Sequence, residues 1–242
     1  MNTQHENKYW NLTLTSIISF IIVVVFSLTQ SLVVFFLVEP DTVQNKDYLQ
    51  QLASSHLGLI SLVSSLVGLF LVVFFIKFNR SAANVSVKEY LNLFTPSFKD
   101  FSIFLFLSCL LMFFIEFLTS RYPEFFETDF AIESYRHANS LFLLYLGVGV
   151  VGPLFEEVLF RGFLFKAVQK SVLGSHGAVL FTAIVFSIIH VQYGLWIILC
   201  MLFPMAILLG YARLKSNSLL LPILLHSINN LLTCLLTHFE VY

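Results

Sequence analysis

Long apolar runs separated by short polar connections make up most of the chain. A transmembrane helix needs roughly 20 apolar residues to cross about 30 Å of hydrocarbon. Seven runs approach this length, at about Leu12–Val38, Leu57–Ile76, Phe101–Leu118, Ser140–Phe165, Ala178–Val191, Leu195–Ala212 and Leu219–Leu236. The pattern therefore predicts an all-α, polytopic transmembrane helix bundle with about seven spans.

The fourth and fifth runs differ from a plain membrane span. The fourth, Ser140–Phe165, is longer than a bilayer requires and contains Pro153. Proline has no N–H to donate, so we expect a kink or tilt there, and neighbouring helices that cover the freed carbonyl group. The fifth run, Ala178–Val191, is short. The connections are too short for a soluble domain, and the stretch around Val87–Leu91 is amphipathic.

The composition supports a membrane protein and excludes other classes. Hydrophobic residues make up 58% of the 242 residues, and charged residues make up 11%, against about 25% in soluble domains. A net charge of -1 without a basic run argues against nucleic acid as a partner. The 28 phenylalanines are concentrated in apolar runs, and we interpret those of the first three helices as lipid-facing bulk. The cysteines are too far apart for a metal clip or a disulfide framework: Cys109, Cys200 and Cys234.

Basic residues are distributed unequally between the two sides of the predicted bundle. One side, beginning with the N-terminus, has Lys8, Lys77, Arg80, Lys88, Lys99, Lys166, Lys170, Arg213 and Lys215. The other side has Lys46, Arg121 and Arg136. Because cytoplasmic loops are enriched in Lys and Arg, the N-terminus is predicted to be cytoplasmic. The first run is longer than the apolar part of a signal peptide and is predicted to remain as an anchor.

Ionisable side chains interrupt the apolar runs of the C-terminal half. An ionisable group in hydrocarbon costs at least a few kcal/mol, so such groups are either paired or functional. The fourth run contains Glu156, Glu157 and Arg161. The fifth and seventh runs contain two pairs of residues spaced four apart, Phe186 with His190 and His226 with Asn230. Each pair is predicted to share a helix face.

These groups are predicted to lie at similar depths. With a rise of about 1.5 Å per residue, Glu156 and His190 each lie roughly 20 Å from the inner turn, and His226 roughly 16 Å. We therefore expect three helices to direct polar groups into one cavity. Glu157 and Arg161, four residues apart, are predicted to form an internal ion pair that supports the site.

Glu156 is the best candidate for chemistry. It points about 100° away from Glu157 around the helix, and only one arginine is near the two carboxylates in the sequence. A carboxylate beside two imidazoles suits activation of water, with Glu156 as the base and His190 orienting the nucleophile. Asn230, assisted by His226, is placed to donate to the oxyanion of a tetrahedral intermediate. By contrast, Glu116 lies near the outer end of its helix and is interpreted as structural.

Other interpretations of the same residues remain open. Glu156, His190 and His226 are also a ligand set for zinc with an open fourth position. A noncatalytic membrane scaffold or immunity protein would keep the fold in order to bind a partner. A transporter would use the same residues to relay protons, although the sequence lacks the internal repeats typical of that class.

The ordered motifs resemble those of a known family. Glu156-Glu157-x-x-x-Arg161, Phe186-x-x-x-His190 and His226-x-x-x-Asn230 resemble the signature of the CPBP family of intramembrane proteases, which includes the CAAX prenyl endopeptidases of the Rce type and the bacterial Abi proteins. The stretch from Gly210 to Arg213 is also similar to the family's pattern. The resemblance covers about 140–232, so residues 140–242 are expected to form the catalytic core and 1–139 the N-terminal transmembrane helices and loops.

The resemblance implies a glutamate-dependent intramembrane endopeptidase that needs no metal cofactor. By this resemblance, Glu156 and His190 of this chain would activate water, His226 and Asn230 would form the oxyanion site, and Arg161 would hold the local geometry. Members often have eight spans, so an eighth span or a re-entrant segment is an alternative to the seven that the apolar runs predict. The expected partner is a membrane-embedded or lipidated peptide, and the expected location is a prokaryotic cytoplasmic membrane.

Overall fold

The computed structural model describes residues 10–79, 85–126 and 129–241, and this part of the chain consists of helices and connections without a strand. The helices are α1 Leu12–Leu37, α2 Lys46–Ser55, α3 Leu57–Phe78, α4 Val87–Leu91, α5 Phe98–Arg121, α6 Asp129–Arg136, α7 Leu141–Gln169, α8 Gly174–Ile188, α9 Leu195–Ser216 and α10 Leu220–Val241. Lys8 and Arg80, which contribute to the predicted orientation, lie outside the described residues.

The predicted spans correspond to helices in the structure. In the described chain, six helices are long and apolar enough to cross a membrane: α1, α3, α5, α7, α9 and α10. The seventh, α8, is apolar but has only 15 residues, as its short run indicates. The prediction of an all-α, polytopic bundle with about seven spans is confirmed, and the chain is an integral membrane protein.

The described chain forms two compact units. The first comprises the described parts of 1–19, 72–127 and 157–226, and the second those of 20–71, 128–156 and 227–242. The limits fall inside α1, α3, α7 and α10, so each of these helices contributes to both units.

In the first unit, α8 packs against both α9 and the last part of α7, and α9 packs against α5. Gly210 of α9 lies against Val179 of α8, where a Cβ atom would come within 2.9 Å of the valine Cγ1. An apolar core includes Phe104 of α5 and Leu209 of α9. Such close packing is expected in a bilayer, because helices there associate through van der Waals contact between small and apolar groups.

The connection before α5 is fastened to the connection before α10. The amphipathic stretch forms α4, which begins with a capping box at Ser86 and buries Tyr90. Asn92 then turns into the left-handed region, its backbone carbonyl accepts from Leu219 N–H at 2.9 Å, and its amide donates to Asn217 Oδ1 at 2.7 Å. Hydrogen bonds therefore join the two connections within the first unit.

In the second unit, α3 packs on the first half of α7 through small residues. A Cβ atom at Gly58 would lie 2.6 Å from the backbone oxygen of Leu143, and Gly147 of α7 directly faces the backbone of Gly58. Ser61 donates to the carbonyl oxygen of Gly147 at 3.1 Å. Such contacts allow two helix backbones to approach closely.

α7 contains two π-helical turns, at Gly147–Val151 and Val158–Leu164. In the first, the N–H of Gly152 bonds to the carbonyl of Gly147, five residues earlier. The next bond in this register would join residue 153 to Val148, but Pro153 has no N–H. Asn230 of α10 supplies the missing donor, with its Nδ2 at 2.9 Å from the Val148 oxygen. The expectation that a neighbouring helix covers the freed carbonyl is confirmed.

Replacement of Asn230 tests this arrangement. Asn230→Ala leaves the Val148 carbonyl without its donor, and we expect a loss of about 1–3 kcal/mol in stability, read as a lower melting temperature in detergent. Pro153→Ala restores an N–H that can reach the same carbonyl. In that background, the loss from Asn230→Ala is expected to be smaller.

The matched control is Thr233→Ala, because Thr233 is exposed on the same helix and bonds only to that helix, at Asn229 O. Its effect should be the same with and without Pro153. Equal losses from Asn230→Ala in both backgrounds would show that the amide does not replace the proline's missing donor.

Candidate functional site

A buried ion pair lies in α7 immediately after Glu156. Arg161 Nη1 donates to Glu157 Oε1 at 2.9 Å, and both side chains have 0% exposure. The four-residue spacing predicts this pair, and it is present. Neither charge is accessible to lipid, and pairing offsets part of the cost of burial, although Glu157 Oε2 and Arg161 Nε have no hydrogen-bond partner among the described residues.

Arg161 has contacts on neighbouring helices of the first unit. Its Nη2 donates to the carbonyl oxygen of Ala206 on α9 at 3.1 Å. Its guanidinium carbon lies 4.8 Å from the centre of the Phe186 ring on α8, within the range of a cation–π contact. The arginine thus holds three helices in a fixed relation around one carboxylate.

Glu157 has a second partner, which the sequence does not predict. His226 of α10 approaches with Nδ1 at 2.9 Å from Glu157 Oε1, the same oxygen that accepts from Arg161. A carboxylate oxygen accepts, so Nδ1 is the nitrogen that carries the hydrogen. The histidine ring is 9% exposed, and Glu157 fixes its orientation.

Phe186 lies at the centre of the aromatic contacts. Its ring packs edge-on against His226, with centroids 6.0 Å apart, and it also contacts His190 at 4.5 Å. The predicted shared face of Phe186 and His190 is present. Phe186 itself is 3% exposed, so its contacts with Arg161 and the two imidazoles lie in the interior of the first unit.

His190 lies in a turn and not inside the fifth helix. The sequence predicts a helix to Val191, whereas α8 ends at Ile188 and a 3₁₀ turn begins at Val191. The apolar run continues past the helix end, so hydropathy alone does not show where the backbone leaves the helix. His190 is half-buried, and its Nδ1 lies 2.7 Å from the carbonyl oxygen of Phe186, which accepts from the ring N–H.

Glu156 and Asn230 belong to the second unit, whereas Glu157, Arg161, Phe186, His190 and His226 belong to the first. Glu156 is half-buried on α7, and the Asn230 amide donates to Val148. That amide has two hydrogens, so the bond to Val148 is compatible with a second donation. The convergence of Glu156 and Asn230 with the two histidines stays a prediction.

Arg213 is a buried residue that the sequence interpretation placed in an inner connection. α9 continues to Ser216, so Arg213 lies inside the helix with 2% exposure. Its Nε donates to the backbone oxygen of Arg161 at 3.1 Å. The available signal was its position three residues after Gly210, in a stretch that carries the family resemblance.

Comparisons with known proteins bear on the identity of this segment of the chain. The type II CAAX prenyl endopeptidase Rce1-like family matches residues 138–232. An uncharacterized 24.3 kDa protein of Escherichia coli is 36% identical over 86 residues, which cover 35% of this chain and 39% of that protein. No solved structure matches the chain.

The matched segment contains every residue of the ordered motifs, from Glu156 to Asn230. At the level of the family, the match supports a CAAX-protease-like intramembrane endopeptidase. Residues 138–232 of this chain thus match the Rce1-like family of CAAX prenyl endopeptidases, and the resemblance indicated by the motifs is confirmed.

Proposed function

We propose that this chain hydrolyses a peptide bond of a membrane-embedded or lipidated substrate, with water activated by Glu156 and His190. The observation that carries the proposal is the buried network in which Glu157 accepts from both Arg161 and His226, inside the segment that matches a family of endopeptidases. The network holds His226 in one orientation, as a residue that contacts a reacting group requires.

The first step is attack of water on the peptide carbonyl. Glu156 takes a proton from the water, the remaining oxygen bonds to the carbonyl carbon, and the carbonyl oxygen becomes an oxyanion. His190 orients the water. Because its Nδ1 donates to the Phe186 carbonyl, its Nε2 is the basic nitrogen of the neutral ring and accepts a hydrogen bond from the water.

The oxyanion is stabilised by donors on α10. His226 carries a hydrogen on Nδ1 toward Glu157, and in its doubly protonated form it donates from Nε2 to the oxyanion. Because Glu157 is already paired with Arg161, the positive charge of that form is balanced by the negative charge of the oxyanion. Asn230 donates its second amide hydrogen, while the first remains on Val148.

The intermediate then breaks down to products. The carbon–nitrogen bond breaks, and the proton that Glu156 took from water passes to the leaving amine. Glu156 returns to its ionised form, and the new carboxyl end of the substrate leaves the site. Proton balance is complete without another reactant.

This mechanism uses no cofactor. The alternative is a zinc enzyme with the same residues, since an imidazole held through Nδ1 also presents Nε2 in the way zinc ligands do. Among the described residues, no group of three or more His, Cys, Asp or Glu side chains is arranged to hold a metal ion. A chelator distinguishes the two mechanisms directly.

The membrane setting supports a substrate class. Because helices of this chain are long and apolar enough to span a bilayer, we infer that the substrate is a peptide that reaches the bilayer through its own apolar segment or an attached lipid. We propose a location in a prokaryotic cytoplasmic membrane, and the bias of Lys and Arg between connections supports a cytoplasmic N-terminus.

Removal of the proposed base tests the function. Membranes of cells that express wild type, Glu156→Gln or Glu116→Gln are compared for new peptide termini, with and without a chelator. Glu156→Gln keeps the shape of the side chain but removes the base, so termini are expected from wild type and lost with this variant. Glu116 is an exposed glutamate on another spanning helix, and its variant is expected to behave like wild type.

The alternatives give different results. Reversible loss of wild-type cleavage on chelation, together with copurified stoichiometric zinc, would establish the zinc enzyme. Identical termini in all well-expressed samples would favour a noncatalytic scaffold. Proton-coupled uptake by proteoliposomes would instead favour a transporter.

Separation of the buried ion pair gives a second prediction. Glu157→Leu leaves Arg161 charged and unpaired in a site of 0% exposure, and breaking such a pair costs about 3–5 kcal/mol. Glu157→Leu with Arg161→Met removes both charges, so the double variant is expected to melt at a higher temperature than Glu157→Leu alone. Both variants are expected to lose cleavage, because His226 loses its orienting carboxylate.

An exposed ion pair in the same chain provides the control. Glu133 and Arg136 pair at 2.7 Å on α6, with side chains about half exposed. Glu133→Gln is expected to change stability by less than about 1 kcal/mol. A single Glu157→Leu variant as stable as the double variant would show that the buried charges do not depend on each other.

A further inference from the structure

The part of α7 that precedes Glu156 rests on a helix outside the segment that matches the family. α3, Leu57–Phe78, lies before residue 138, and its residues that touch this part of α7 belong to the second unit, as does that part of α7 itself. Gly58 and Gly147 bring the two backbones together, and Ser61 bonds to α7. These contacts fix the start of the shared surface, at the π-helical turn Gly147–Val151 that precedes the glutamate.

Phe155 marks the other end of that surface. Its side chain is 3% exposed and lies over Gly68 of α3. A Cβ atom at Gly68 would be 2.7 Å from Cδ2 and from Cζ of the Phe155 ring, and closer still to Cε2, against about 3.5–4.0 Å for carbon atoms in contact. Only a residue without a side chain leaves room for this ring.

A second aromatic residue packs on the other side of the Phe155 ring. Phe26 of α1 stacks on Phe155, with ring centroids 4.9 Å apart and an angle of 17° between the planes. The ring is therefore held between α1 and α3, and a methyl group at Gly68 would push it against Phe26. A larger residue at Gly68 must displace the ring, the helix that carries it, or both.

Displacement of Phe155 affects Glu156 because the two are consecutive residues of one helix. A shift of about 1 Å is needed to restore ordinary contact, since the clash is of that size. Catalytic groups must be held within about 0.5 Å of their working positions. A shift of Phe155 that leaves the protein folded can therefore still move Glu156 too far for it to act as a general base.

We propose that Gly68 is a positioning residue for Glu156: the space it leaves seats the Phe155 ring between α1 and α3 and so fixes the direction of the next side chain on α7. The link to catalysis rests on the proposed function, whereas the link to the position of Glu156 does not. α1 and α3 thus contribute to the position of Glu156 without supplying a reacting group.

The test uses complementary sizes. Gly68→Ala is expected to lower the rate at which new termini appear by about 10–100-fold. Phe155→Leu removes the outer edge of the ring, where the methyl group would clash, so the variant with both substitutions is expected to recover to within about threefold of Phe155→Leu alone. Leu66→Phe adds volume on the same helix at a side chain with 53% exposure, and it is expected to resemble wild type.

A second measurement reports position without activity. Glu156→Cys is placed in a chain whose native cysteines, Cys109, Cys200 and Cys234, are serine, and its reaction rate with a small membrane-permeant thiol reagent is measured. Gly68→Ala is expected to change this rate by more than about threefold, and Phe155→Leu is expected to bring it back. Melting temperatures are recorded for every variant.

The outcomes separate the proposals. A lower melting temperature for Gly68→Ala with an unchanged labelling rate would overturn the positioning role and leave packing alone. Labelling that follows the expected pattern, with no termini from any variant or from wild type, would keep the positioning role and reject the protease. If Gly68→Ala fails to accumulate, the double variant decides. Accumulation of the double variant, with labelling like that of Phe155→Leu, would establish the complementary fit of Gly68 and Phe155. Failure of both Gly68→Ala and the double variant to accumulate would overturn it.

Discussion

The rest of the first unit depends on one buried negative charge. Glu157 lies fully inside the protein, where the burial of a charge without partners is costly. Arg161 and His226 both bond to a single oxygen of this carboxylate, Arg161 continues to the backbone of α9, and Phe186 of α8 covers the group. Segments that are far apart in the sequence are thereby held around one atom. Inside lipid, where apolar surface gives no preference between neighbouring helices, such a bond defines which helices meet and in which register.

The sequence predicts best what the bilayer and local spacing dictate. The apolar runs correspond to helices because the thickness of hydrocarbon sets their length, and Glu157 pairs with Arg161 because residues four apart meet on a helix. Contacts over long sequence separations follow no such rule. The approach of His226 to Glu157 is one example. The bond of Asn230 to Val148 is another: Pro153 reveals that a carbonyl needs a donor, but not which helix provides it.

Helix ends and small residues account for the remaining differences between the predicted and the observed structure. Apolar residues continue past Ile188 at Ile189 and Val191, so the apolar run places His190 in a helix where the backbone forms a turn. Hydropathy also ends α9 too early and assigns Arg213 to a connection. In the N-terminal half the abundant phenylalanines suggest lipid-facing bulk, and many of them are exposed. The contacts that matter there are made by Gly58 and Gly68, which contribute little to an apolar average and permit close approach because they lack a side chain.

The π-helical turns of α7 affect how its sequence relates to that of other proteins. Each such turn accommodates one residue more than an α-helix of the same rise, so residues on its two sides are offset by about 100° around the axis. One turn precedes the two glutamates and one follows them. A relative with a regular α-helix at either place would carry one residue fewer and still present the same side chains. A correct alignment would therefore need a single-residue gap inside an unbroken membrane helix, where gaps are ordinarily forbidden.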